Sequence, residues 1–114
     1  MAIPPAVRAQ AEAVLEEFCR THSSAPGADR LRYIAEFEAS AALLVEQRPG
    51  FMRPDDWLSV PRAKFRYSEA RDEWSLYWLD ADARWHRVSN VEAAKDISVL
   101  LKVVVADPLG VFWS

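Results

Sequence analysis

The sequence predicts an α+β fold in the order α-β-β-β-β-β-α: an N-terminal helix, a five-stranded antiparallel meander sheet, and a C-terminal helix packed on one sheet face. Segments near both ends carry apolar residues at helical spacing, and the stretch between them alternates apolar with polar residues, as strands do. The 114 residues are expected to form a single domain, 1–114, because two cores of half this size would each bury too little surface.

The composition argues against several classes of protein. The 14 Lys and Arg against 17 Asp and Glu give a formal charge of −3, which disfavours broad electrostatic capture of nucleic acid or anionic lipid. The single cysteine, Cys19, excludes an internal disulfide and indicates a reducing compartment, so a cytoplasmic location is expected. The longest apolar stretch, 97–106, is interrupted by Lys102 and is far shorter than the roughly 20 residues of a membrane helix, so no membrane span is expected.

The N-terminal helix is predicted to begin at Pro4 or Pro5, because the first helical turn tolerates a residue without an N–H group. Residues that recur at intervals of three or four form its apolar face: Val7, Ala11, Val14, Leu15 and Phe18. The turn-forming segment 23–27 ends the helix.

The C-terminal helix has two candidate starts. Ser89 and Glu92 have the spacing of a capping box, and Asp96 is a competing N-cap. The apolar stripe consists of Ile97, Leu100, Leu101 and Val104. The segment is rich in β-branched residues, so a strand remains an alternative. The apolar tail 111–114 is expected to fold back on the core, since an exposed aromatic end promotes aggregation.

The first two strands are predicted at 31–37 and 43–48. Apolar residues fall on both of their faces, so the pattern leaves the register of this hairpin open. Pro49 ends the second strand, and a loop is predicted through 53–61 with a short helical turn at Asp55.

The segments 62–67 and 74–78 alternate most regularly and are joined by a turn at 69–72. Their predicted register places three apolar pairs on one face: Tyr67 with Trp74, Phe65 with Leu76, and Ala63 with Trp78. Two further pairs then lie on the other face: Lys64 with Tyr77, and Arg66 with Ser75. This register is self-consistent, because it pairs apolar residues with each other on one face and gathers the polar residues on the other, and matched cross-strand pairs stabilise a sheet.

The fifth strand is predicted at 84–88, after a turn at 80–83. The predicted pairs are Leu79 with Arg84, Trp78 with Trp85, and Tyr77 with His86. Because neighbouring residues of a strand point to opposite faces, Trp85 would face the core and His86 the solvent.

The polar face of these three strands carries the constellation with the clearest chemistry. In the predicted register Lys64, Tyr77 and His86 form one row, with Arg66 and Arg84 close by. A cation, a phenol and an imidazole in one row can bind a small anionic ligand, and an imidazole can donate a proton near neutral pH. The alternative is an ordinary solvated face of an antiparallel sheet.

Four further residues are candidates for the same site or for an interface. Glu46 and Arg48 would extend the row into a charged shelf if their strand lies alongside it. Trp57 and Trp113 either pin loose segments onto the core or anchor a protein partner, since tryptophan often anchors interfaces. The open sheet and the apolar tail also suggest a homodimer, because uncovered edge strands pair readily.

No motif predicts a metal site or a cofactor. His22 and His86 lack the spacing of metal ligands, and three scattered glycines form no phosphate-binding loop. The segment 64–67 alternates basic and aromatic residues, but in a strand the two kinds point to opposite faces. Nucleic-acid binding is therefore not expected from this segment.

A set of short motifs in a fixed order resembles a known family. The motifs are Glu46-Gln47-Arg48-Pro49, Ala63-Lys64-Phe65-Arg66-Tyr67, Trp74 with Leu76-Tyr77-Trp78, Trp85-His86, and Asp107-Pro108 with Phe112-Trp113. Together they look like the small bacterial family catalogued as domain of unknown function 3024, over residues 31–114. The resemblance implies a soluble bacterial protein and no particular activity.

These observations predict a small non-enzymatic binding or interaction module. It would use the polar sheet face or the regions of Trp57 and Trp113, and its partner would be a protein or a small anionic ligand. The alternative is a small enzyme or anion binder centred on Lys64, Tyr77 and His86.

Overall fold

The structure, a computed structural model, describes residues 3–23, 31–50 and 56–113. Its elements are α1 (Pro5–His22), β1 (Arg32–Phe37), β2 (Ala41–Pro49), β3 (Trp57–Ser68), β4 (Glu73–Leu79), β5 (Trp85–Arg87) and α2 (Ile97–Ala106). Each strand pairs antiparallel with the next, in the sheet order β1-β2-β3-β4-β5. The predicted α+β meander with a helix before it and a helix after it is therefore confirmed.

Helix α1 presents its predicted apolar stripe to the sheet. Proline at the start of the helix needs no hydrogen-bond partner there. The buried residues of this stripe are Ala11, Leu15 and Phe18. Ahead of the helix, the N–H of Ile3 donates to the carbonyl of Ala39 at 2.8 Å, which ties the start of α1 to the turn between β1 and β2.

Helix α2 begins at the second of its two candidate starts. The Asp96 carboxylate accepts a hydrogen bond from the N–H of Ser98 at 2.9 Å, as an N-cap does. The capping box at Ser89 is not used. The buried residues of α2 are those of the predicted stripe, Ile97, Leu100, Leu101 and Val104. Asp107 caps the end of the helix with a φ of 45°, in the left-handed region. Since the segment is helical, the alternative prediction of a strand is wrong.

The two faces of the sheet differ in what covers them. Phe65, Trp74 and Leu76 share one core with buried residues of both helices, and we call their side the covered face. The opposite side, which carries Lys64 and Tyr77, is the open face. The observed pairs between β3 and β4 include Lys64 with Tyr77, Phe65 with Leu76, Arg66 with Ser75, and Tyr67 with Trp74. The register predicted for these residues is confirmed.

The predicted register between β4 and β5 is wrong by one residue. The observed pairs are Leu79 with Trp85, Trp78 with His86, and Tyr77 with Arg87. Trp85 and Arg87 therefore lie on the open face with Tyr77, and His86 lies on the covered face with Trp78.

An Asp-stabilised turn causes this shift. One carboxylate oxygen of Asp80 accepts the N–H groups of Asp82 at 2.8 Å and Arg84 at 2.9 Å, and Ala83 adopts a φ of 62°. The Asp80 N–H donates to the Arg84 carbonyl at 2.9 Å, which places Arg84 opposite Asp80 instead of opposite Leu79. The connection is thus one residue longer than predicted, and a change of one residue reverses the faces of everything that follows.

The segment predicted as a loop before position 62 is in part a strand, because β3 begins at Trp57. A bulge makes this possible: Leu44 pairs with Ala63 but Val45 pairs with Pro61, which leaves one residue of β3 unpaired. Proline is tolerated at such irregularities, where a ladder hydrogen bond is already missing. The helical turn predicted at Asp55 lies outside the described residues.

Candidate functional site

A row of three side chains crosses the open face. Lys64 of β3 is opposite Tyr77 of β4, and Tyr77 is opposite Arg87 of β5. Arg87 occupies the place in the row that was predicted for His86. The exchange changes the chemistry, because a guanidinium stays charged at any pH a protein meets and does not transfer protons near neutrality.

The cations of the open face differ in their partners. Arg66 and Arg87 are exposed, and among the described residues neither has a carboxylate within ion-pairing distance. Lys64 is half-buried, its ammonium lies 3.6 Å from a carboxylate oxygen of Glu38, and it is 5.8 Å from the centroid of the Trp85 ring. Two guanidinium groups on this face are therefore available to an incoming anion.

Two shallow depressions adjoin on the open face and share Ser68 and Ser75. The first, of about 370 Å³, also contains Arg66 and Tyr77. The second, of about 530 Å³, is lined by Arg87 together with residues of the neighbouring loops. The carboxylates at their rims are Glu69, Glu73 and Glu92. Volumes in this range suit ligands of ordinary small-molecule size, and the shared hydroxyl groups can donate to an anion that spans both.

Two aromatic rings belong to the same surface. Tyr77 and Trp85 are both half-buried, and within the described ranges neither the phenol nor the indole N–H has a hydrogen-bond partner. Trp85 is the diagonal neighbour of Tyr77 in the ladder, a distance that aromatic side chains can span. The open face therefore combines unpaired cations with partly accessible rings.

His86 lies away from this row. Its Nε2 is 2.5 Å from a carboxylate oxygen of Asp80, and its ring stacks on Trp78 with centroids 4.9 Å apart. The hydrogen bond with His86, followed by that from the Arg84 N–H, lowers the pKa of Asp80. His86 is thus held by a hydrogen bond with Asp80 on the other side of the sheet, and it cannot share a ligand with Lys64 and Tyr77.

Glu46 and Arg48 are also on the covered face, so the predicted charged shelf does not form. Glu46 is only 3% exposed, and its carboxylate pairs with Arg48 at 2.8 Å and accepts a hydrogen bond from Arg62 at 2.6 Å. Burial would raise the pKa of Glu46, but the hydrogen bonds from the two arginines outweigh it and hold the pKa below its ordinary value of 4.5. The reason is the register: Leu43, not Glu46, is opposite Lys64.

The remaining candidates occupy separate places. Arg84 lies in the turn before β5, with an exposed side chain. Trp57 is on the open face at the start of β3, where the Arg32 guanidinium stacks on its ring at 3.7 Å. Trp113 donates its indole N–H to the carbonyl of Val104 at 2.8 Å, so it holds the folded-back tail against α2.

Sequence reasoning missed Arg87 and Trp85 as open-face residues. A visible signal for them is the segment Asp80-Ala81-Asp82-Ala83-Arg84, because an aspartate side chain that accepts backbone N–H groups ahead of it is typical of a longer turn. With one more residue in the turn, the same alternation argument would have placed both side chains correctly.

Metal ligands, the thiol and the character of the helices also bear on function. The described residues contain no group of three or more metal-ligating side chains. Burial, with a smaller effect of Glu16, raises the pKa of the Cys19 thiol to about 11, so the thiol is protonated at neutral pH and a poor nucleophile. Neither helix in the described ranges has the length and apolar character needed to cross a membrane.

The family model described as "Domain of unknown function (DUF3024)" matches residues 3–114. The chain belongs to this family. The match begins at residue 3 instead of 31, so α1 is part of the DUF3024 domain together with the sheet and α2. No curated protein and no solved structure matches the chain.

Proposed function

We propose that this DUF3024 domain is a non-enzymatic binding module that takes an anionic ligand on the open face of β3, β4 and β5. The observation that carries the proposal is the pair Arg66 and Arg87, which are exposed and unpaired within the described part of the chain on either side of β4. Guanidinium groups bind phosphate and carboxylate oxygens through charge-assisted hydrogen bonds. Ser68, Ser75 and Tyr77 supply neutral donors between them.

The geometry favours binding over catalysis. An enzyme centred on Lys64, Tyr77 and His86 needs an imidazole in reach of the same substrate, and His86 is on the opposite face, hydrogen-bonded to Asp80. The guanidinium that replaces it in the row binds charge but does not exchange protons near neutral pH. We place this function in the bacterial cytoplasm, because a single cysteine favours a reducing compartment and the family resemblance implies a bacterial protein.

Titration of the ¹⁵N-labelled protein with pyrophosphate tests the proposal. Amide signals of β3, β4 and β5 are expected to shift. The double variant Arg66→Gln/Arg87→Gln is expected to bind about tenfold more weakly or worse, because two charge-assisted contacts are lost. The matched control is Arg8→Gln/Arg20→Gln, which removes the same charge from exposed positions of α1.

Two outcomes would contradict the proposal. One is the absence of any shift on the open face at millimolar pyrophosphate. The other is an equal loss of affinity in both double variants, which would mean that only the total charge of the protein matters.

A further inference from the structure

We infer that the anionic ligand of the open face is single-stranded nucleic acid, an inference that rests on the proposed function. Proteins that bind single strands without reading a fixed sequence combine cations along the backbone with aromatic rings on which bases stack. The open face has both kinds of side chain side by side: Lys64 and Arg87 are the ladder neighbours of Tyr77, and the Lys64 ammonium lies over the ring of Trp85 at 5.8 Å from its centroid.

The one-residue shift of β5 creates this combination. Within β3 alone, the aromatic residues Phe65 and Tyr67 are buried on the covered face, while Lys64 and Arg66 point the other way, so that strand by itself cannot stack bases and bind phosphates. The rings on the open face come instead from β4 and β5. With Trp85 turned outward, cations and rings from three strands share one surface.

The local charge permits this ligand although the total charge is −3. Along β3, β4 and β5 the alternation places Lys64, Arg66 and Arg87 on the open face with Glu73, while Glu69 and Glu92 lie at its edges and Glu38 pairs with Lys64. Arg66 and Arg87 have no ion pair among the described residues, so these two guanidinium groups are the ones open to phosphates. A base stacked on Tyr77 would have cations on both sides, in positions to meet the phosphates before and after it. At physiological salt, charges more than about 8 Å from the site are largely screened. Association therefore depends mainly on the charges close to the site.

The rings favour a single-stranded nucleic acid over other anions. A small phosphate or an acidic peptide needs the cations but gains nothing specific from Tyr77 and Trp85. Duplex DNA carries the phosphates, but its bases are already stacked on each other and are closed to a flat sheet surface. RNA and DNA single strands share the relevant chemistry, so thymidylate and uridylate probes are both used in the test.

The experiment measures fluorescence anisotropy of a labelled oligothymidylate of about ten nucleotides, a common size for such sites. An abasic strand of the same length keeps the phosphates and lacks the bases. Oligothymidylate and oligouridylate are expected to bind about tenfold or more tightly than the abasic strand and than a duplex, because stacking contributes for each base. The logarithm of Kd is expected to rise with the logarithm of salt concentration with a slope of about 2, for three phosphate contacts.

The variants separate stacking from charge. Tyr77→Phe/Trp85→Phe removes the phenol O–H and the indole N–H but keeps two rings, and it is expected to bind oligothymidylate within about threefold of wild type. Tyr77→Leu/Trp85→Leu removes the rings as well, and relative to the Phe pair it is expected to bind oligothymidylate about tenfold more weakly or worse and the abasic strand equally. Equal binding of the abasic strand by the two variants is the control for folding of the Leu pair. Arg66→Gln/Arg87→Gln weakens both strands and lowers the salt slope to about 0.7.

The inference is overturned if oligothymidylate and the abasic strand bind equally, if the duplex binds as tightly, or if the Leu pair behaves like wild type. In those cases continued binding of pyrophosphate would show that the open face takes anions of another class. If pyrophosphate and both strands all fail to bind, the proposed function and the inference fall together.

Discussion

Ala83 shows how one residue decides which side chains a surface presents. Its φ of 62° closes the turn between β4 and β5, and the length of that turn places Trp85 and Arg87 on the open face. A residue with a Cβ atom is disfavoured in this left-handed region, whereas glycine adopts it freely. The turn is therefore formed at some cost in stability.

Replacing Ala83 by glycine is expected to stabilise the protein by about 0.5–1 kcal/mol, because the relief of strain exceeds the added entropy of the unfolded chain. Urea unfolding followed by circular dichroism measures the change. Ala81→Gly, two residues earlier in the same exposed turn and without a positive φ, is the matched control and should be neutral or slightly destabilising. Equal effects of the two substitutions would contradict the role given to Ala83.

At the scale of elements, the sequence offers two helix-capping signals before α2, and the helix uses only the second. Asp96 caps the helix through the N–H of Ser98, whereas the Ser89 capping box lies ahead of the helix. The intervening residues belong to the sheet instead: Ala94 forms an isolated bridge with Trp74, with hydrogen bonds of 2.7 and 2.9 Å. Because Ala94 is paired with a strand, the chain is not helical there, and a helix cannot run from Ser89 into α2.

Asp96→Ala is expected to lower the free energy of unfolding by about 1 kcal/mol, the usual contribution of an N-cap. Ser89→Ala is expected to change it by less than about 0.5 kcal/mol, as exposed substitutions usually do. Chemical denaturation of both variants under one set of conditions makes the comparison. A larger loss for Ser89→Ala than for Asp96→Ala would mean that the helix begins earlier.

The same scale explains how much of the fold was predictable. Between β3 and β4 every second residue is apolar, so only one register gives one apolar face. Between β4 and β5 the contrast disappears, because Trp78, Leu79 and Trp85 are all apolar and either pairing gives plausible neighbours. The first part of β3 was missed because Pro61 reads as a strand breaker until a bulge is known to accommodate it.

At the scale of the whole molecule, the buried carboxylate of Glu46 joins the neighbouring strands β2 and β3. It sits on β2 at a buried position of the covered face, and it is bound by Arg48 of its own strand and by Arg62 of β3, the residue that the bulge leaves unpaired. Because its pKa is lower in the folded protein than its ordinary value of 4.5, Glu46 contributes its full stabilisation above that pH. The contribution is lost as the pH falls from about 4.5 through the lowered pKa.

Glu46→Gln is expected to cost about 1–3 kcal/mol at pH 7, the range for hydrogen bonds to charged groups, and the cost should shrink as the pH approaches 3. Denaturation at pH 7, 5, 4 and 3 measures it. Glu12→Gln removes an exposed i,i+4 pair with Arg8 and is expected to change stability by less than about 0.5 kcal/mol at every pH. A cost for Glu46→Gln that stays constant with pH would contradict the ion-pair assignment.

The candidate site was predictable only in part. Lys64, Arg66 and Tyr77 follow from alternation in one hairpin, and all three lie on the open face as expected. Glu46 and His86 were assigned to the wrong face because each assignment depended on a register that local sequence does not determine. The face on which such a residue lies depends on strand pairing and on the exact length of the turn. The hydrophobic pattern alone determines neither of them here.

The division of the sheet into a covered and an open face has a consequence for how this domain can change over time. Where β3 and β4 pair, at 64–68 and 73–77, each position belongs either to the core or to the open face, since neighbouring residues alternate. Substitutions at 64, 66, 75 and 77 can therefore alter ligand preference at little expense in folding. A directed-evolution library confined to these positions would explore new specificities on an unchanged scaffold.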